Sequence, residues 1–249
     1  MNSLTKIVFK NFCSTWEYKA ILLYIAISMF FITPQYSGFG YLEIFNYSFT
    51  NKIFLVVVLY PSFLVMFYII FNNLKCNTEI ILRFNSRREF CKKLIFTILF
   101  MTMFLYFQTI LITLICCNIT QNSGFKITEN LGFNTLDIYV YIINLLKILL
   151  TTFIITLIGV LTIFKSNSRS KTLIILILFL IIICFGDKFY PSGIYLLDLF
   201  NPGFNSHGYM LTNKLSVLII SGIAYFNLVI FVLLLFIFKN CKNVELGVK

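Results

Sequence analysis

Residues 72–93, NNLKCNTEIILRFNSRREFCKK, lie between two long apolar segments and carry six Lys and Arg residues. Because positive residues concentrate on the cytoplasmic side of membrane proteins, this loop indicates which side of the chain faces the cytoplasm. Within it, Thr78–Phe84 has the spacing of a short amphipathic helix. Ser86 and Glu89 form a capping-box pattern at the start of the next helix. The sequence therefore predicts a structured basic loop with one helix lying across the membrane surface.

The rest of the chain is too apolar for a water-soluble fold of this length. Hydrophobic residues make up 59% of the 249 residues and charged residues 12%, with a mean hydropathy of +0.92. The sequence predicts an all-α integral membrane protein, a single transmembrane domain over residues 1–249. About 20 apolar residues cross a bilayer, and six segments meet or approach this requirement: Trp16–Thr33, Ile53–Phe71, Leu94–Cys117, Asp137–Phe164, Thr172–Gly186 and Leu215–Phe238.

The distribution of positive charge predicts six spans with both termini in the cytoplasm. In that topology, 15 of the 20 Lys and Arg residues lie inside, four lie outside and Lys147 lies within a span. The net charge of +11 then reflects topology and attraction to anionic inner-leaflet lipid, and it does not indicate nucleic-acid binding. The fifth predicted span is short and requires a thin membrane or extension into its flanks.

Two flanking segments have distinct patterns. Residues 1–19 carry Leu4, Ile7, Val8, Phe12 and Trp16 at helical spacing, which predicts an interfacial helix that leads into span one. Residues 187–214 form the longest outer segment, with turn, short apolar run and turn, which predicts an extracellular hairpin between spans five and six. The outer loop between spans one and two is aromatic, as expected at headgroup level.

A few polar residues interrupt the spans, and each is a candidate for a translocation path or a subunit contact: Gln108, Asn144, Lys147, Thr151 and Asn227. Asn144, Lys147 and Thr151 share one helix face. Two interpretations of Lys147 stay open, since its ammonium either faces the bundle interior or snorkels to the outer surface. Gln108 and Asn227 also fit plain helix-to-helix hydrogen bonds.

Three further positions bear on how the spans pack and bend. Pro61, inside span two, removes a backbone hydrogen bond, so it marks a hinge or a fixed kink. The small residues Thr156 and Gly159 on span four allow close helix approach.

Several kinds of chemistry are missing from the sequence. It has no Gly-x4-Gly-Lys-Ser/Thr phosphate loop, no His-Glu-x2-His motif and no Gly-x-Ser-x-Gly motif. We therefore expect no enzyme activity, catalytic residue, metal site or cofactor in this chain. Four of the seven cysteines fall on the predicted reducing side, and their spacing indicates no disulfide framework.

The topology and the basic loop together resemble the membrane subunits of type-2 ABC exporters. The pattern Glu79-x3-Arg83-x2-Ser86-Arg-Arg88, followed by Phe90 and Lys92-Lys93, is similar to that of the small bacterial permeases of peptide export and of lantibiotic or bacteriocin self-immunity. The topological resemblance covers the whole chain, and the motif covers about twenty residues.

The resemblance implies a coupling helix that contacts a separate ABC ATPase, which would bind ATP and Mg²⁺. Its residues would be Thr78, Glu79, Ile80, Ile81, Arg83 and Phe84, with polar contacts from Glu79 and Arg83. It also implies a second permease chain, identical or different, and location in a bacterial cytoplasmic membrane. The cargo expected from so aromatic an outer face is amphipathic, such as an antimicrobial peptide.

Three alternatives remain open at this point. The chain could serve a lipid, drug or ion exporter of the same fold. It could be a non-transporting membrane immunity or scaffold protein. The basic loop could set topology and lipid attachment alone.

Overall fold

A computed structural model describes residues 3–37, 39–51, 53–76, 86–122, 135–166, 172, 174–179 and 215–240. Every element of regular structure in this described part is helical, so the all-α class is confirmed. The helices are α1 (Ser3–Ser14), α2 (Trp16–Ile32), α3 (Tyr41–Phe49), α4 (Tyr60–Cys76), α5 (Arg87–Asn122), α6 (Thr135–Ser166) and α7 (Leu215–Asn240). A 3₁₀ turn at Thr33–Tyr36 extends α2, and a π-helical segment at Phe54–Leu59 precedes α4.

Four helical segments are long and apolar enough to cross a membrane: Trp16–Tyr36, Phe54–Phe71, Arg88–Gln121 and Asn144–Ile163. They correspond to the first four predicted spans, so this is a membrane protein by the length and composition of its helices. The predicted sixth span coincides with α7, whose described side chains begin at Asn227. Most of the predicted fifth span and all of the 187–214 hairpin lie outside the described residues.

The N-terminal segment forms α1, the helix predicted ahead of span one, but α1 ends at Ser14 and residues 16–19 already belong to α2, with a break between the two helices. The break falls at Thr15, whose Oγ1 accepts a hydrogen bond from Tyr18 N at 3.3 Å and so caps α2. Leu4, Val8 and Phe12 are buried, as the helical spacing predicts. They pack in a protein core, since α1 contacts α2, α4 and α5. Protein therefore covers much of the apolar stripe that was predicted to face lipid.

Helices α2 and α5 run parallel along each other. Tyr18 near the start of α2 is hydrogen-bonded to Gln108, and Thr33 just after its end accepts from Thr120 Oγ1 at 2.9 Å. Residue numbers rise together along both helices, which is the relative direction that the predicted topology gives to spans one and three. The 36 residues of α5 extend about 54 Å, which exceeds the roughly 30 Å of hydrocarbon in a bilayer.

Helix α3 is inserted into the bundle. Gly40 N donates to Glu43 Oε2 at 3.2 Å, which fixes its first turn. Its buried residues cover most of its circumference: Ile44, Phe45, Asn46, Ser48 and Phe49. Tyr41 Oη donates to Leu114 O on α5 at 3.2 Å. The outer loop that was predicted to lie at headgroup level is therefore in large part a packed helix.

Candidate functional site

The main polar feature inside the bundle is one face of α6. Asn144, Lys147 and Thr151 lie on that face and are 4%, 6% and 2% exposed. Of the two interpretations of Lys147, the structure favours the interior position, because a side chain that snorkels to the surface keeps its ammonium accessible. Thr151 Oγ1 donates to Lys147 O at 2.8 Å, so its hydroxyl proton is satisfied within the helix.

Two other helices contribute to this polar face. Asn144 Nδ2 donates to Asn46 Oδ1 on α3 at 3.2 Å. Tyr106 Oη on α5 donates to Leu145 O at 2.6 Å, and its ring packs edge-on against Phe49. We call Asn46, Tyr106, Asn144, Lys147 and Thr151 the polar cluster. It joins α3, α5 and α6 through hydrogen bonds that are shielded from solvent.

Part of the polar capacity around this cluster is unused. Asn144 Oδ1 and Ser48 Oγ are buried and have no hydrogen-bond partner among the described residues. Buried oxygens of this kind are normally satisfied by protein, water or ligand. The two oxygens can therefore accept further hydrogen bonds, and Asn144 shares its helix face with the buried Lys147.

Sequence analysis identified three members of the cluster and missed Asn46 and Tyr106. Asn46 lies in a loop that was interpreted only by its aromatic residues. The Gly40-x2-Glu43 pattern, which begins α3, was the available signal for a helix there. Tyr106 has no sequence signal, because a tyrosine in a span reads as an apolar residue.

The remaining span candidates lie apart from the polar cluster. Gln108 Nε2 donates to Tyr18 Oη, so its amide joins α5 to α2. This geometry is the plain helix-to-helix hydrogen bond considered above. Asn227 lies on α7, and its side chain is exposed in the part of the chain that the structure describes.

Pro61 lies in the first turn of α4, directly after the π-helical segment. The sequence predicted a hinge or a kink at Pro61 in span two. In the structure the helix changes from π to α between Leu59 and Tyr60, directly before Pro61.

The predicted coupling helix lies outside the described residues, and the structure describes only its flanks. On the C-terminal flank, Ser86 Oγ accepts from Glu89 N at 3.1 Å. The Glu89 carboxylate is 2.6 Å from Lys93 Nζ in an i,i+4 pair. The capping-box pattern directs this same carboxylate toward the backbone N–H of Ser86. The ion pair with Lys93 therefore restrains the position of the carboxylate.

Removing the Ser86 cap is expected to loosen the start of α5. Ser86→Ala deletes the acceptor for one of the free N–H groups of the first turn, at a cost of about 1 kcal/mol. We expect about fivefold faster hydrogen exchange at residues 87–90. Ser14→Ala, which removes an exposed hydroxyl bonded to Asn11 O, is the control. Equal exchange in both variants would contradict the cap.

The cysteines depart from the prediction of no disulfide framework. Cys91 is disulfide-bonded, whereas Cys13, Cys116 and Cys117 are free thiols. The partner of Cys91 lies outside the described side chains. Spacing along the chain could not identify this pair, because a disulfide depends on the approach of two sulfurs in space.

Comparison with known proteins identifies no relative. The chain matches no protein-family model, and searches of curated proteins and of solved structures give no match.

Proposed function

We propose that this chain is the membrane-spanning subunit of an ATP-driven ABC exporter in a bacterial cytoplasmic membrane. It would couple a separate ATPase, which binds ATP and Mg²⁺, to the export of an amphipathic substrate such as an antimicrobial peptide. A second permease chain would complete the transmembrane part of the complex. Self-immunity to a lantibiotic or bacteriocin is one role that this activity would serve.

The observation that carries the proposal is the setting of the basic loop. Helix α4 ends at Cys76 and α5 begins at Arg87, so only ten residues connect two long helices. Helix α1 packs against both α4 and α5, and Thr5 Oγ1 lies 2.9 Å from Thr97 Oγ1. A short connection, flanked by basic residues at the ends of α4 and α5, favours transmission of force from a docked partner, since rigid helices can carry its displacement into the bundle.

The surface of the α2–α5 pair supports an amphipathic cargo. An open groove of about 570 Å³ lies between these helices, and its lining is wholly apolar. Phe30 and Phe31 on α2 and Ile115 on α5 are among the lining residues. Such a groove suits the hydrocarbon part of a cargo that enters from the lipid. The polar cluster would then meet a polar group of the same cargo.

Co-purification from mild detergent tests the proposal. The tagged wild-type chain is expected to recover an ABC ATPase from its native host, and the Glu79→Ala, Arg83→Ala double variant is expected to lose it. The physical reason is that both charged side chains of the proposed coupling helix would contact the ATPase, and unpaired interface charges are costly.

The matched control for this experiment is Lys6→Ala, Lys10→Ala, which removes two exposed charges from α1. It should keep the ATPase, provided that recovery depends on the coupling helix and not on overall charge. Recovery of no ATPase with the wild-type chain would overturn the proposal and favour the scaffold alternative. Equal recovery with both double variants would place the ATPase contact elsewhere.

A further inference from the structure

The joint between the π-helical segment and α4 carries an inference that does not depend on the proposed function. In the segment Phe54–Leu59 the hydrogen-bonding pattern is i→i−5, and Tyr60 N donates to Leu55 O. The regular α pattern resumes in α4. Pro61 follows immediately and has no N–H, so the carbonyl of Val57, four residues earlier, receives no α-helical hydrogen bond from it.

A side chain from another helix donates to this carbonyl. Tyr24 Oη on α2 lies 3.3 Å from Val57 O and is its hydrogen-bond donor. Tyr24 is half-exposed, on a surface that also carries the apolar side chains Leu23 and Ile27. In hydrocarbon there is no water to satisfy a freed carbonyl, and neighbouring helices commonly supply the missing donor. The Tyr24 hydroxyl therefore fills the position that Pro61 leaves without a donor.

We propose that Tyr24 is a latch for a hinge at Pro61. With the bond made, α2 holds the π-to-α joint in one geometry. With the bond broken, α4 is free to change its angle to the segment before it. The 17 residues of α4 form a lever about 25 Å long, so a change of about 10° at the joint moves its far end by about 4 Å.

The latch predicts a specific dependence between two substitutions. Tyr24→Phe keeps the ring and removes only the hydroxyl. In the wild-type background it should speed hydrogen exchange at residues 58–64 about fivefold, as expected for loss of one interhelical hydrogen bond in a membrane protein. Pro61→Ala restores an N–H that can donate to Val57 O. In that background Tyr24→Phe should leave the same exchange rates unchanged.

Tyr47→Phe is the matched control, since the described contacts of Tyr47 are ring contacts with Tyr36 and Phe39. It should leave exchange at residues 58–64 at the wild-type rate in both backgrounds. Two results would overturn the latch: no effect of Tyr24→Phe on the wild-type chain, or an equal acceleration with and without Pro61. We expect all variants to elute normally on size exclusion, which would show that the faster exchange at residues 58–64 is a local effect. Aggregation of Tyr24→Phe alone would overturn the latch, because the faster exchange would then reflect general unfolding.

Discussion

Gly159→Leu is expected to destabilise the bundle more than any other single change considered. A Cβ at position 159 would lie 2.9 Å from Cε1 and Cζ of Phe67 and 3.4 Å from Cδ1 of Leu176. The Phe67 ring is buried and packs on Phe71 at a centroid distance of 4.8 Å. It therefore has little room to move, and overpacking of this kind costs about 2–3 kcal/mol. We expect the unfolding midpoint in detergent to fall by about 5–10 °C.

Two companion variants separate the steric cause from a general effect of side-chain size. Gly159→Ala adds only the Cβ, whose clash with Phe67 is offset in part by about 1 kcal/mol of helix propensity, so it should lower the midpoint less than Gly159→Leu. Ala26→Leu adds three carbons in the open groove between α2 and α5 and should be tolerated. An unchanged midpoint for Gly159→Leu, or an equal loss for Ala26→Leu, would show that α4 and α6 do not meet closely at Gly159.

If the chain exports an amphipathic cargo as proposed, Lys147→Met is expected to reduce export at least tenfold while leaving the protein folded. Methionine fills a similar volume without the charge. Removing a buried ammonium relieves its desolvation cost but also deletes its polar contacts, so the two effects on stability oppose each other. We expect a net change within about 2 kcal/mol. If the polar cluster meets an acidic group of the cargo, loss of the charge should reduce export at least tenfold, since the lost contact is charge-assisted.

The measurement is export, or resistance to the cargo, in cells that contain the partner ATPase, alongside the unfolding midpoint of purified protein. Lys19→Met is the matched control because Lys19 is an exposed lysine on α2, and it should retain export. Full export by Lys147→Met would remove the lysine from the transport path. A collapse of the midpoint would assign Lys147 a structural role.

The sequence predicted the α6 part of the polar cluster but not the part that comes from the loop between spans one and two. Asn144, Lys147 and Thr151 were predicted to share a face because helical periodicity is a property of one segment. The hydrogen bond between Asn144 and Asn46 was not predictable, since it required α3 to pack inside the bundle. The packing of Phe45 and Phe49 inside the protein was missed for the same reason. Aromatic residues are equally suited to a headgroup region and to a core.

In α1 as well, the sequence predicts which residues are buried but not what covers them. Its buried stripe of Leu4, Val8 and Phe12 follows from spacing alone. What covers the stripe does not, because lipid and the apolar side of another helix present similar surfaces to it. In the structure Phe9 packs against Phe100 and Phe104 of α5, at centroid distances of 6.0 and 4.8 Å.

The sequence by itself determined that this is an all-helical membrane protein and located its first four spans, because hydropathy and helical period depend only on residues that are neighbours in the chain. The tertiary structure alone decided which polar groups meet. The bond between Tyr24 and the Val57 carbonyl joins residues 33 positions apart, and the bond between Asn46 and Asn144 joins residues 98 positions apart. Such pairs depend on how the helices pack, and they stabilise that packing because unpaired polar groups are costly in hydrocarbon.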